Sequence, residues 1–216
     1  MMFRDRSEGG RALAGLLARY AGRAGVIVLA LPRGGVPVGY EVARALGVPL
    51  DVFVVRKLGA PGQPELAIGA IASGGVRVLD AELVRALAIT PETIEAIAGR
   101  EEEELQRRER LYRGERKPRE LGGETVILVD DGLATGASMR SAVAAVRQQG
   151  PAKVVVAVPV AAAQVCTAFQ QIADEVVCAA TPTPFYAVGQ WYAVFDQTDD
   201  DEVRRLLAGA AALFPG

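Results

Sequence analysis

The chain has 216 residues, half of them apolar and 23% charged, with a formal net charge of −2. That length suits one sizeable hydrophobic core, and the slight acidity argues against a general nucleic-acid surface. Histidine is absent, which excludes Ser-His-Asp triads, imidazole general bases and the usual zinc ligand sets.

Charges at Arg4, Asp5, Arg6 and Glu8 interrupt any secretory apolar core, and no apolar run reaches membrane-spanning length. The cytoplasm is therefore the expected location, with no membrane partner. Ser7 can cap a helix to about residue 21, with Leu13, Leu16, Leu17 and Tyr20 at helical spacing on its buried face. Residues 26–31 are a continuous apolar run, the pattern of a strand buried on both faces. They end in Pro32-Arg33-Gly34-Gly35, and 36–46 reads as a helix. A strand, a glycine loop and a helix make an anion-site candidate, although neither common phosphate motif fits the glycine spacing. A plain β–α turn is the competing reading. The strand 50–55 runs into Arg56-Lys57, cations at the carboxyl end where open α/β sheets bind ligands.

Residues 58–65 hold two glycines and two prolines and predict a loop, and 66–72 with 76–79 predict a hairpin across Ser73-Gly74-Gly75. A short helix follows at 80–89. Thr90-Pro91-Glu92 then starts a long one, reaching about residue 112. Its acids 101–104 precede Arg107, Arg108 and Arg110, the favourable order for a solvated face; an interface role competes. Residues 114–123 are a polar connector.

At 126–129 a second buried apolar run ends in Asp130-Asp131, followed by Gly132-Leu133-Ala134-Thr135-Gly136-Ala137-Ser138 and a helix to about 149. Amides of 134–138 with the Thr135 and Ser138 hydroxyls can surround a phosphate at the helix's positive end. The two carboxylates stand one loop away, in reach of the hydroxyls of a sugar bearing that phosphate. Turn and cap residues are the competing reading for the acids. Strand 153–158, helix 161–172 and strand 175–179 follow. Their alternation predicts an α/β fold with a mainly parallel twisted sheet flanked by helices. Cys166 and Cys178 read as buried small hydrophobes rather than a disulfide framework or metal knuckle. Residues 181–192 gather two prolines and four aromatics, and Asp199-Asp200-Asp201 reads as the cap of a last helix, 201–213, with a metal cluster as the competing reading.

The run Val129-Asp130-Asp131-Gly132-Leu133-Ala134-Thr135-Gly136-Ala137-Ser138 resembles the phosphoribosyl pyrophosphate (PRPP) signature of the type I phosphoribosyltransferases. The resemblance implies that family's three-layer fold in a single domain over 1–216, and transfer of ribose 5-phosphate from PRPP to a nitrogenous base. It implies that Asp130 and Asp131 bind the ribose hydroxyls and help hold Mg²⁺, in part through water, while Ala134, Thr135, Gly136, Ala137 and Ser138 bind the 5-phosphate. Pyrophosphate would fall to Arg33, Gly34 and Gly35, with a cis bond entering Arg33, and to Arg56 and Lys57. A flexible flap at about 58–79 would close over PRPP. A hood at about 180–200 would cover the base with Phe185, Tyr186 and Trp191, Tyr192 being a further aromatic there. The helical insertion, about 80–113, is longer than the family pattern requires. Homodimers are common in the family. A non-catalytic PRPP or nucleotide sensor on the same fold is the alternative. A receiver domain is disfavoured because its acid pair lies near the start of the chain.

Overall fold

The structure, a computed structural model, describes residues 2–213. In chain order it contains α1 (Arg6–Leu16), β1 (Val26–Ala30), α2 (Gly35–Leu46), β2 (Leu50–Val52), β3 (Val55–Ala60), β4 (Gln63–Ala72), β5 (Val76–Leu79), α3 (Ala81–Ala86) and α4 (Pro91–Arg113). There follow β6 (Thr125–Val129), α5 (Ala137–Gln148), β7 (Lys153–Val160), α6 (Ala163–Phe169), β8 (Glu175–Ala180) and α7 (Asp200–Leu213). Five strands form one parallel sheet in the order β2-β1-β6-β7-β8.

Strand periodicity explains the layers. Successive side chains point to opposite faces, so Val26, Val28 and Ala30 of β1 enter one core with Leu13, Leu17, Val42, Leu46 and Leu207 from α1, α2, α7 and the turn after α1. Ile27 and Leu29 enter the other core, with Met139, Val143 and Phe169 of α5 and α6. The register carries this alternation across the sheet: Val28 lies opposite Ile127, and Ile127 opposite Val155. Burial on both faces is what the continuous apolar runs require.

A second, three-stranded antiparallel sheet, β3-β4-β5, packs over α5. Here the predicted loop at 58–65 is replaced by regular structure. β3 runs on to Ala60, and β4 begins at Gln63 after a tight turn at Pro61-Gly62, with Gly62 at φ +72°. Register shifts flank Gly59, where an added Cβ would lie 2.6 Å from the Pro64 carbonyl oxygen. The glycines and prolines that argued for a loop thus build a turn and a bulge. The predicted strand 50–55 is split, because β2 leaves the parallel sheet at Val52 and the chain crosses to β3. The crossing is fastened by Ser73, whose hydroxyl accepts from the Val54 N–H at 2.9 Å. The predicted 66–72/76–79 hairpin is present as β4 and β5.

The first helix is shorter than expected. Asp5, not Ser7, accepts the capping N–H, from Glu8 at 2.8 Å. α1 ends at Leu16, and a 3₁₀ turn at Ala18–Tyr20 buries Leu17 and Tyr20 while leaving Leu16 exposed. α4 begins at its expected Thr90 cap and buries Ile94, Ala98 and Leu105. Of the acids 101–104, Glu101 is half-buried and accepts from Arg56 at 2.8 Å; with the exposed bridge from Arg77 to Glu95 at 2.5 Å it fastens α4 to the antiparallel sheet. Cys166 and Cys178 are joined as a disulfide between α6 and β8, which corrects their reading as unpaired small hydrophobes. Asp199 accepts from the Glu202 N–H at 2.7 Å and so caps α7. Among the described residues no group of three or more acids and cysteines could hold a metal ion, and no helix is long and apolar enough to cross a membrane.

Candidate ligand site at the carboxyl end of the parallel sheet

β1 and β6 are neighbours, so the loops leaving their carboxyl ends meet. The Leu31 N–H donates to the Val129 carbonyl at 2.9 Å, and the Gly35 N–H to the Leu31 carbonyl at 3.0 Å. Between them the Pro32–Arg33 peptide bond is cis, as the resemblance led one to expect. The two glycines have a steric reason. A Cβ on Gly34 would stand 2.8 Å from the Asp131 carboxyl carbon, and one on Gly35 would stand 2.8 Å from the Val129 carbonyl oxygen. Only glycine lets this loop lie against the acidic pair.

Both acids are held in fixed poses. Asp130 Oδ1 accepts from the Asp131 N–H at 2.8 Å. Asp131 Oδ2 accepts from Arg6 Nε at 2.8 Å, and the Tyr192 hydroxyl donates to the Asp131 carbonyl at 2.6 Å. Arg6 is itself set by a 2.6 Å bond from Nη1 to the Asp196 carbonyl and by the Phe195 ring, 3.9 Å below its guanidinium. Burial, and then the neighbouring charge of Asp131, pushes the Asp130 carboxyl well above the ordinary range. Burial also raises Asp131, with the Arg6 guanidinium opposing it. Tyr192 is raised, chiefly by burial. Two adjacent carboxylates that resist ionisation together are matched to a ligand that brings positive charge or hydroxyl donors. Among the described residues no hydrogen bond reaches Asp130 Oδ2 or Asp131 Oδ1, leaving one oxygen of each for a hard cation or a sugar diol. The donor set fits Mg²⁺, which is bound through one or two carboxylates while retaining waters.

Past the acids, Leu133 is buried and pins the loop by a bridge to Ala161, whereas Ala134 and Thr135 are exposed. Gly136 turns the chain into α5 at φ +73°, with no side chain capping the helix. The Ala137 N–H reaches only Thr135 Oγ1, at 3.4 Å, and Ser138 is exposed. This mouth of unsatisfied donors at the positive end of the helix dipole can take an anion.

The remaining predicted residues divide. Arg33 precedes the glycines that pack on the acids, but its side chain faces Asp200 of α7 at 4.0 Å, and Asp200 also accepts from the Tyr112 hydroxyl at 2.7 Å. Arg56 is bound to Glu101, and Lys57 to the exposed Glu65 at 3.0 Å. Lys57 nonetheless lines one cleft with Thr135 and Ser138, so β3 and the α5 mouth share a wall. Phe185 and Trp191 stack on each other, centroids 6.2 Å apart, while Tyr186 is 76% exposed and packs on neither. Tyr192 is buried with Phe3 and Val160, and its ring also stacks on Phe195 at 5.2 Å. Sequence reasoning missed Arg6 and Phe195 as site residues. Arg6 is 125 positions from Asp131, and no local pattern ties it to the acids.

The model of the phosphoribosyl transferase domain family matches residues 6–183. Two Mycobacterium tuberculosis proteins, from strains CDC 1551 / Oshkosh and H37Rv and each provisionally named phosphoribosyl transferase, are 50% identical over 202 residues, covering 94% of this chain. The chain spans about half, 45%, of the length of these curated relatives. The crystal structure of TT1426 from Thermus thermophilus is 45% identical, with a TM-score of 0.87 over 97% of this chain and 99% of that one. By its architecture and by these matches, the chain belongs to the phosphoribosyl transferase domain family.

Proposed function

We propose that the chain moves ribose 5-phosphate from PRPP to a nitrogenous base and releases pyrophosphate. The observation that carries this reading is the packing of Gly34-Gly35 onto the Asp130–Asp131 pair, one loop from the uncapped mouth of α5. In this reading the mouth holds the 5-phosphate, through the amides of Ala134 to Ser138 and the Thr135 and Ser138 hydroxyls. Asp130 and Asp131 hold the ribose 2- and 3-hydroxyls. Amides near Gly34 and Gly35 take pyrophosphate oxygens, with Arg33, Arg56 and Lys57 supplying positive charge. The C1–O bond breaks, the electron pair leaves on pyrophosphate, the C1–N bond forms, and the acceptor's proton passes to solvent. Positioning and electrostatic stabilisation of the leaving group carry such a reaction. Mg²⁺, when bound, would neutralise charge on pyrophosphate, and the two acids are the residues that would hold it.

The region 58–79 serves as a flap that excludes water, and 180–200 serves as a hood over the base, with Phe185, Tyr186 and Trp191 facing it. The whole chain acts as one domain. A second reading, a PRPP sensor that does not turn over, is favoured by one observation: Arg33, Arg56 and Lys57 each already face a carboxylate.

Pyrophosphate release from PRPP, measured against a panel of purines, pyrimidines and orotate, separates the two. Turnover with one class of base supports transfer, and binding of PRPP without turnover supports the sensor. The Asp130→Asn, Asp131→Asn double variant should lose PRPP binding in calorimetry. Binding equal to the parent chain would remove the assigned role of the pair.

A further inference from the structure

A cleft of about 780 Å³ opens from the α5 mouth and runs away from the acidic pair, between α5 and the antiparallel sheet. Its size falls in the usual range for small-molecule sites, about 300–1,000 Å³. Thr135 and Ser138 stand at its entrance, so it is continuous with the anion site rather than a separate hollow. Ala137, Arg140, Ser141 and Ala144 line it at the three- and four-residue spacing of a single helix face. Ala70 and Val78 of the antiparallel sheet, with Val143 and Ile172, supply aliphatic walls.

Its charges are arranged in sequence. Lys57 and Arg140 lie near the entrance, on opposite walls. The Arg140 guanidinium stacks on Phe169 with its carbon 5.0 Å from the ring centroid, and among the described residues it makes no ion pair. Arg147, deeper in, is committed to Asp174 at 2.9 Å. The one lining carboxylate, Asp80, is occupied in capping α3, accepting from the Leu83 N–H at 2.9 Å. Lys57 is held by the exposed Glu65 at 3.0 Å, so the unspent positive charge at the entrance is that of Arg140, next to a site that already suits one phosphate, and the interior beyond is aliphatic.

A 5-phosphomonoester would leave this space unused. We infer that the site accepts ribose 5-diphosphate esters, ligands of the nucleoside diphosphate–ribose class. The ribose diol would lie on Asp130 and Asp131 and the proximal phosphate in the α5 mouth. The second phosphate would lie between Lys57 and Arg140, and the nucleoside against the aliphatic walls. The inference rests on the phosphate-loop reading proposed above and extends it outward from the phosphate.

Calorimetry on the full chain with ribose 5-phosphate and with ADP-ribose tests it, using Ala144→Trp to fill the cleft and Arg140→Ala to remove the charge. ADP-ribose should bind at least tenfold more tightly than ribose 5-phosphate. Either substitution should erase that preference while leaving ribose 5-phosphate affinity within twofold and the melting temperature near that of the parent. Equal affinities for the two probes, or a preference that survives both variants, would overturn the cleft assignment and leave the phosphate loop standing. Silence with both probes would remove the phosphate-loop reading and this extension with it.

Discussion

Gly136 is where backbone conformation and packing act on the same atom, and Gly136→Ala separates them. Its φ of +73° lies in the left-handed region, where a Cβ costs about 1–2 kcal/mol. The added carbon would also stand 2.5 Å from Phe169 Cε2 and 2.9 Å from Cζ, on a ring that is fully buried and cannot swing away. Overpacking of that kind costs about 1–3 kcal/mol. The sum is a loss of roughly 2–5 kcal/mol, or a fall in Tm of about 5–15 °C for a chain of this size. Urea denaturation followed by circular dichroism gives the number. Phe169→Ala alone should cost about 3–5 kcal/mol. In the double variant the packing cost disappears and the conformational cost stays, so the two changes should fall short of additivity by about 1–3 kcal/mol. Additivity to within about 0.5 kcal/mol would show that the ring does not back the loop. Gly136→Ala should also weaken ribose 5-phosphate binding, because relieving the clash shifts the amides that form the mouth.

Asp130→Asn should stabilise the chain at neutral pH. The folded carboxyl holds its proton more tightly than the unfolded one, so its cost is absent below the ordinary carboxylate range and grows as pH rises through that range. A gain in Tm is expected at a pH of about 7.5 and should vanish near a pH of about 3.5, below the ordinary aspartate value; a gain independent of pH would refute the assignment. Asp131→Asn should lack this benefit, since it strips the partner from Arg6, whose side chain is only 12% exposed. Glu101→Gln frees Arg56 from its ion pair. If Arg56 meets pyrophosphate, affinity for inorganic pyrophosphate in calorimetry should rise by up to about fivefold, the equivalent of about 1 kcal/mol for a partly exposed pair; unchanged or weaker binding would place Arg56 outside the site.

The parts of the fold that were legible in the sequence are those set by local chemistry. β1 and β6 are buried on both faces and their residues are almost wholly apolar. The starts of α2, α4 and α5 follow from glycine, from Thr90-Pro91 and from Gly136, each acting on its own turn. The 58–65 segment misled because glycine and proline signal a departure from ideal backbone without saying how long it lasts. Here it lasts two residues at Pro61-Gly62 and one bulge at Gly59. The disulfide was hidden for a different reason: Cys166 and Cys178 are 12 positions apart on different elements, and only the packing of α6 against β8 brings them together.

The acid pair shows where sequence reading stops at a site. Its residues and its loop can be seen in ten consecutive positions, but what holds it in place comes from the two ends of the chain. Phe3 pairs in parallel with Tyr192, and its N–H donates to the Trp191 carbonyl at 2.8 Å. That contact brings Arg6 onto Asp131 from one side and the Tyr192 hydroxyl onto the Asp131 backbone from the other. Neither terminal segment has a pattern that points to a carboxylate. Their role follows from position, since the cluster of Phe3, Val160 and Tyr192 closes against the end of β7, next to the strand that carries the acids. Shortening the chain before Arg6 should therefore disturb the acidic pair more than removing an equal length from the end of α7, although the acids are more than a hundred residues from that cut. Loss of PRPP binding in calorimetry from the first truncation, with binding retained in the second, is the expected outcome; equal binding by both would show that the pair keeps its pose without the Phe3 bridge.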